Sequence, residues 1–301
     1  MKNEQNNALQ QGYIRRYTLT EGKENGLKVI EMDNGILRVL LNESKGLDMM
    51  QLFHSGMNIS FVSKNGFTAR ELPFINRFEG GMLYTCGLDS FGAREGYELH
   101  GHYHNTPAKV TEIVQTDESL RVKGEIECTA LFGEYLCLTR VINLPMNSDT
   151  VTITDTLENR GTKTENYCLL YHVNLGCPFL EEGVKIEGDF EEIVPRTEYA
   201  SKFGNLIMSK PQDNEEERCY FLKNKGNTIC ASNEKLGKKF ILTYSKKTLP
   251  SVVQWISPAT RDYAMGLEPA TSFLDDYFSY KQIQPSEKVD FSIEMQVCNT
   301  K

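Results

Sequence analysis

The sequence predicts an all-β chain, a large sandwich with little helix. It is expected to fold as one domain over residues 13–301, behind a loose N-terminal arm of residues 1–12. Three observations carry this. The dominant apolar period is two, the spacing that lines one face of a strand. No long window holds a helical period; residues 42–52 and 211–218 come nearest. The alternation also runs from about residue 27 to residue 297 without a low-complexity linker, and a large sandwich can exceed 250 residues as a single domain.

The elements follow in order from that alternation. Runs at 27–32 and 36–41 flank Asp33-Asn34-Gly35, a tight-hairpin signal. Further runs cover 57–62, 120–128 and 135–144. Within 151–157, Val151, Ile153 and Leu157 alternate with Thr152, Thr154 and Thr156, and Asn159-Arg160-Gly161 marks the turn that follows. Runs at 240–244, 252–256 and 289–297 complete the set.

Composition bounds the function. Hydrophobic residues are 40% and charged residues 25% of the 301, ordinary values for a globular chain. A fold of this size buries about three quarters of its unfolded surface and needs no staples. The net charge is −8, from 33 basic and 41 acidic residues, which argues against a nucleic-acid surface. No apolar run approaches the ~20 residues of a membrane helix, and the polar N-terminus lacks a signal-peptide stretch. Eight cysteines show no paired metal-ligand spacing; most sit in apolar surroundings, as expected of reduced thiols in the cytoplasm.

Histidine is scarce, with five in the chain, and His100, His102 and His104 fall in Glu98-Leu99-His100-Gly101-His102-Tyr103-His104. On a strand the three would share a face and invite a metal. Gly101 and the following Asn105-Thr106-Pro107 speak against a strand there, so no metal site is expected. His172 and Asn174 share one face of Tyr171-His172-Val173-Asn174-Leu175, with apolar residues on the other. Glu268, in Gly266-Leu267-Glu268-Pro269, is a carboxylate among apolar neighbours, so burial should raise its pKa. A histidine and a carboxylate projecting into one pocket are the minimum for general acid–base chemistry.

Taken together, Leu99-His100-Gly101, Tyr171-His172-Val173-Asn174-Leu175 and Gly266-Leu267-Glu268-Pro269 resemble the aldose 1-epimerase (galactose mutarotase-like) superfamily in order and spacing, as does Asn76-Arg77-Phe78. The segment Glu79-Gly80-Gly81-Met82-Leu83-Tyr84-Thr85-Cys86-Gly87-Leu88, with Asn105-Thr106-Pro107-Ala108, is more closely similar to its DUF4432 branch. The resemblance covers about residues 25–298. It implies a β-supersandwich with a sugar cleft, and interconversion of aldose anomers without a cofactor. It further implies that His172 acts as general acid on the ring oxygen, Glu268 as general base on the anomeric hydroxyl, and His100 as a stabiliser of developing charge. For this the pair would carry an imidazolium and a carboxylate.

Arg77 would hold sugar hydroxyls, and His102 and Asn174 would line the sugar site. Glu217, within an acidic run, is the candidate for the family's hydroxyl-clamping acid. Trp255, the single tryptophan, either stacks on a sugar face or packs in the core. The expected ligand is a small neutral sugar, since Arg77, Arg94 and Arg261 are dispersed and the chain is acidic. Two alternatives stay open: a sugar-binding module without catalysis, and an epimerase acting at another sugar carbon.

Overall fold

The computed structural model describes residues 8–300. Of the expected arm, residues 1–7 lie outside the described residues, and Ala8–Gln11 forms one helical turn. A first antiparallel sheet runs in chain order through β1 (Tyr13–Thr18), β2 (Lys28–Asp33), β3 (Leu37–Asn42), β4 (Asp48–His54) and β5 (Met57–Asn58). The second sheet has 13 strands. They are β6 (Leu83–Leu88), β7 (Lys109–Gln115), β8 (Ser119–Thr129), β9 (Tyr135–Pro145), β10 (Thr150–Asn159), β11 (Glu165–Leu175) and β12 (Lys185–Pro195). There follow β13 (Arg218–Asn233), β14 (Lys238–Tyr244), β15 (Ser251–Ser257), β16 (Ala264–Ala270), β17 (Lys281–Ile283) and β18 (Lys288–Asn299). Their spatial order is β17-β11-β16-β15-β13-β14-β18-β10-β9-β8-β7, with β6 added beside β11 and β12 beside β13.

Between the sheets the alternating residues meet. Val39, Leu41 and Leu52 from the first sheet pack with Leu138, Ile142, Ile153 and Leu157 from the second, all fully buried. Each such side chain contributes about 1.5–3 kcal/mol on burial. The Asp33-Asn34-Gly35 turn joins β2 to β3, and Asn34 stitches it to β9 and the following turn by donating to the carbonyls of Pro145 and Ser148.

The two segments nearest a helical pattern are not helices, in keeping with the little helix expected, and one expected strand run is corrected. Residues 42–52, the nearest thing to a helical pattern, form the end of β3, a turn and then most of β4. A bulge explains the deception: Leu40 pairs with Gln51 but Leu41 with Met49, so Met50 is an extra residue that breaks the alternation. Residues 211–218 form turns leading into β13. The run expected at 57–62 is a two-residue strand followed by isolated bridges at Ser60 and Val62.

A buried network of charges ties the sheets together. Arg140 on β9, fully buried, bonds Asp155 on β10 at 2.7 Å and Asp48 on β4. Asp155 accepts from Tyr171 on β11 at 2.7 Å, and Asp48 accepts from the Thr85 amide on β6 at 2.7 Å. His104 lies between Asp48 at 2.6 Å and Glu79 at 3.0 Å, and Lys45 completes the chain at 3.2 Å from Glu79. Asp48 is held below its ordinary pKa; burial opposes its charge, and Arg140 and His104 outweigh burial. The network grips Tyr171 and Thr85 from behind, each one residue from the site described next.

Candidate active site

The opposite face of β11 carries the chemistry. Tyr171, Val173 and Leu175 point into the main core, while Cys168 and Leu170 belong to a second apolar cluster on the other side. Period two therefore sends His172 and Asn174 to that second side. Strand register then assembles the site across the sheet. Tyr84 stands opposite His172, Asn174 opposite Gly266, Gly266 opposite Trp255, and Trp255 opposite Cys219.

His172 Nε2 lies 3.2 Å from Glu268 Oε1, without the alignment of a hydrogen bond. The two residues are 4% and 2% exposed. Gly266 makes their approach possible. A Cβ there would lie 2.6 Å from Glu268 Oε1 and 2.9 Å from His172 Cε1, so both side chains occupy the space a side chain would fill.

Aromatic rings enclose the pair. The Trp255 ring is 5.5 Å from His172, Phe78 is 5.7 Å away, and His100 stands edge-on at 5.7 Å. Half-buried Trp255 donates from Nε1 to exposed Glu217 at 2.8 Å, which fixes both at the rim. Across the rim Arg196, just beyond β12, is held by Asp275 through two hydrogen bonds of 2.6 and 2.8 Å.

Burial decides the charges. It pushes the His172 imidazole down to about 3, helped by nearby His100. His100 itself is held down at about 4, by burial and then by the charge of Arg196. Glu268 is raised well above the ordinary carboxylate range, by burial and then by Glu217, with Arg196 opposing. The sequence suggested an imidazolium facing a carboxylate. In the free protein the neutral forms win instead, because neither charge has water or a well-aligned partner to replace its hydration. Both shifts favour a neutral imidazole on His172 and a protonated carboxyl on Glu268.

Of the residues flagged from sequence, His100, His172, Asn174, Glu217, Trp255 and Glu268 gather here. Asn174 is fully buried and donates to the His172 carbonyl at 3.0 Å. Arg77 lies in the helical turn Phe74–Arg77, whose Phe74 ring touches His100. Its two terminal nitrogens donate to the Leu72 carbonyl at 2.7 Å and to Glu98, and its buried Nε has no partner among the described residues. The three clustered histidines diverge. Gly101, at φ 75° and with Ser90 O only 2.4 Å from where a Cβ would be, turns the chain between them. His100 faces the pair, exposed His102 turns onto Asp89 at 2.5 Å, and His104 enters the buried charge network. His102 lines a separate cavity of about 530 Å³ with Asp89, Glu127, Glu134 and Glu165. Arg94 lies over the Phe278 ring, while Arg261 lines another cavity, of about 590 Å³, together with Phe61 and Tyr263.

Sequence reasoning passed over Gly266 and Tyr84, although both stood inside quoted segments. The signal for Gly266 was the small residue two positions before a buried carboxylate, on the same strand face. Arg196 carried no such signal, because it reaches the site only through the pairing of β12 with β13.

Comparisons with known proteins place the chain. The family model described as "Domain of unknown function (DUF4432)" matches residues 24–297. The chain belongs to the DUF4432 family. Among solved structures, this DUF4432 chain is similar to a candidate aldose 1-epimerase from Klebsiella pneumoniae subsp. pneumoniae MGH 78578. The TM-score is 0.82 at 21% identity, over 95% of this chain and 83% of that one. It is also similar to a galactose mutarotase-like protein from Clostridium acetobutylicum, with a TM-score of 0.70, 16% identity, and 97% and 100% of the two chains covered. A candidate mutarotase from Salmonella typhimurium gives 0.68 at 13% identity, over 95% and 94%. These likenesses establish the galactose mutarotase-like fold. No curated protein matches the chain in sequence.

Proposed function

We propose that this protein is an aldose 1-epimerase, interconverting the anomers of a neutral sugar by opening and reclosing its ring. The observation that carries the reading is the buried His172–Glu268 pair, 3.2 Å apart over Gly266 and walled by Trp255 and His100. The names of the similar solved structures support the same reaction class.

Ring opening needs a proton delivered to the ring oxygen and one removed from the anomeric hydroxyl. The pair holds one transferable proton and one vacant site, which suffices. Incoming sugar hydroxyls donate to the Glu268 carboxyl oxygens and replace lost hydration, which favours ionisation of the carboxyl. The proton then crosses to His172, which becomes the acid while Glu268 becomes the base. Rotation about the C1–C2 bond and reversal of the steps give the other anomer. Trp255 offers an apolar face to the pyranose, with Glu217 beside it for hydroxyls. The dispersal of Arg77, Arg94 and Arg261 supports a neutral substrate over a phosphorylated one.

A crystal soaked with a panel of free aldoses tests the reading. The anomeric carbon and ring oxygen should lie between His172 and Glu268; a different carbon held there would contradict it. The pH profile is a second test. Because kcat/KM reports the free enzyme, it should fall in acid as His172, near 3, takes a second proton. It should also fall at a pH well above the usual carboxylate range, as Glu268 loses its proton, and this alkaline limb should vanish in Glu268→Gln. An alkaline limb that persists unchanged in Glu268→Gln would refute the neutral resting pair.

Gly266→Ala makes a geometric prediction. The new methyl must displace Glu268 or His172, and a misplacement of about 1 Å can cost about a hundredfold in rate. We expect kcat to drop by about that factor, with about 1–3 kcal/mol lost in stability from overpacking. Steady-state kinetics and urea unfolding of the variant measure both.

A further inference from the structure

The segment Glu79 to Leu88 carries much of the family resemblance, yet the acid–base pair uses none of its side chains. We propose that Tyr84, in the middle of that segment, is a further substrate-binding residue, its hydroxyl donating a hydrogen bond to a sugar oxygen. The proposal rests on the sugar-binding reading of the site and adds a contact to it.

Position is the first argument. Tyr84 stands directly opposite His172 in the β6–β11 register, so the two side chains share the site face. Its ring lies 5.2 Å from Phe78 and 6.4 Å from His100, both of which wall the pair.

The second argument is an orphaned hydroxyl. Tyr84 is fully buried, and its hydroxyl has no hydrogen-bond partner among the described residues. Such a group costs about 1–3 kcal/mol when left unpaired, so it demands a partner. Three more buried atoms on the same face are in the same condition: His172 Nδ1, Asn174 Oδ1 and Glu268 Oε1. Trp255 Nε1, by contrast, is satisfied by Glu217. Four polar atoms, left open together on one face, match a ligand bearing several hydroxyls, each able to donate and accept.

The third argument is what lies beneath the ring. Tyr84 stacks on His104, centroids 3.7 Å apart and planes 19° from parallel. His104 is only 3% exposed, and its two nitrogens face carboxylates at 2.6 and 3.0 Å. A neutral imidazole has one N–H and cannot donate to both, so this ring is an imidazolium. Glu79 and Asp48 accordingly raise its pKa against the effect of burial. A cation against the face of a phenol binds the ring through its quadrupole and draws electron density from the hydroxyl, making it a better donor. Burial keeps the phenol protonated, as a donor must be. The charge network thus holds Tyr84 in place and tunes it.

Tyr84→Phe tests the proposal, because it removes the hydroxyl and keeps the stacked ring. Dissociation constants and KM are measured for free aldoses with both proteins, alongside the unfolding midpoint without sugar. We expect the midpoint to be unchanged or higher, since an orphaned group is gone. Kd and KM should rise about three- to tenfold, in line with one uncharged hydrogen bond, while kcat moves less than twofold. Among single-deoxy analogues, the one lacking the bonded oxygen should bind wild type and Tyr84→Phe alike. Equal Kd and KM in the two proteins, or a lower midpoint with unchanged Kd, overturns the proposal. Should wild type bind an aldose without interconverting its anomers, the epimerase reading fails while the Kd comparison still decides the role of Tyr84. Should wild type bind no aldose, both fall.

Discussion

His172→Asn and Glu268→Gln should each lower anomer interconversion by about 10²–10⁴, the usual contribution of a positioned acid or base. Glu268→Gln keeps the volume and shape of the original side chain, and His172→Asn replaces the ring with a smaller neutral amide. The site is buried among apolar rings, so replacing either group with a neutral amide removes proton transfer without stranding a charge. Stability should change little, because the resting pair is already neutral. The double variant should be hardly slower than either single one, since the two groups serve one proton-transfer cycle and their effects cannot add. Polarimetry on a freshly dissolved single anomer measures all four proteins. A single variant with near wild-type rate would remove that residue from the assignment.

The second large effect concerns stability. Arg140→Met should lower the unfolding free energy by about 3–5 kcal/mol, because it leaves buried carboxylates without their cation. Asp48 and Asp155 both depend on that guanidinium, and both are essentially inaccessible to water. The loss should spread to the site. Asp155 holds the Tyr171 hydroxyl, Asp48 holds the Thr85 amide, and these residues adjoin His172 and Tyr84. Urea unfolding followed by tyrosine and tryptophan fluorescence reads the first effect, and the rate of the folded variant reads the second. A variant within about 1 kcal/mol of wild type would show that the network is not held by Arg140.

Much of this fold is legible in the sequence wherever one strand face meets the core and the other meets water. β10 is such a strand, with Val151 and Ile153 inward and Thr154 outward. The signal fades where both faces are covered. β16 is buried along its whole length, so Ala264 to Ala270 shows no alternation to read. β4 is hidden for a different reason, the bulge at Met50.

The site shows the same division. His172 and Glu268 stand out because polar residues in apolar strands are chemically conspicuous. Their charge state was not legible, since it depends on how completely Phe78, Trp255 and His100 exclude water. The fate of the histidine cluster was legible only in part. Gly101 announced a turn, but nothing in the sequence says that His104 finds Asp48, 56 residues away. Long-range pairing of that kind is set by topology.

The central claim is that the pair opens and recloses an aldose ring without touching any other carbon. Saturation-transfer NMR in D₂O, on a panel of free aldoses with catalytic amounts of wild-type protein, tests it most directly. The account predicts that saturating one anomeric proton diminishes the signal of the other, with no new sugar formed and no deuterium entering carbon. Absence of transfer for every aldose, or appearance of a second sugar with carbon-bound deuterium, would contradict it.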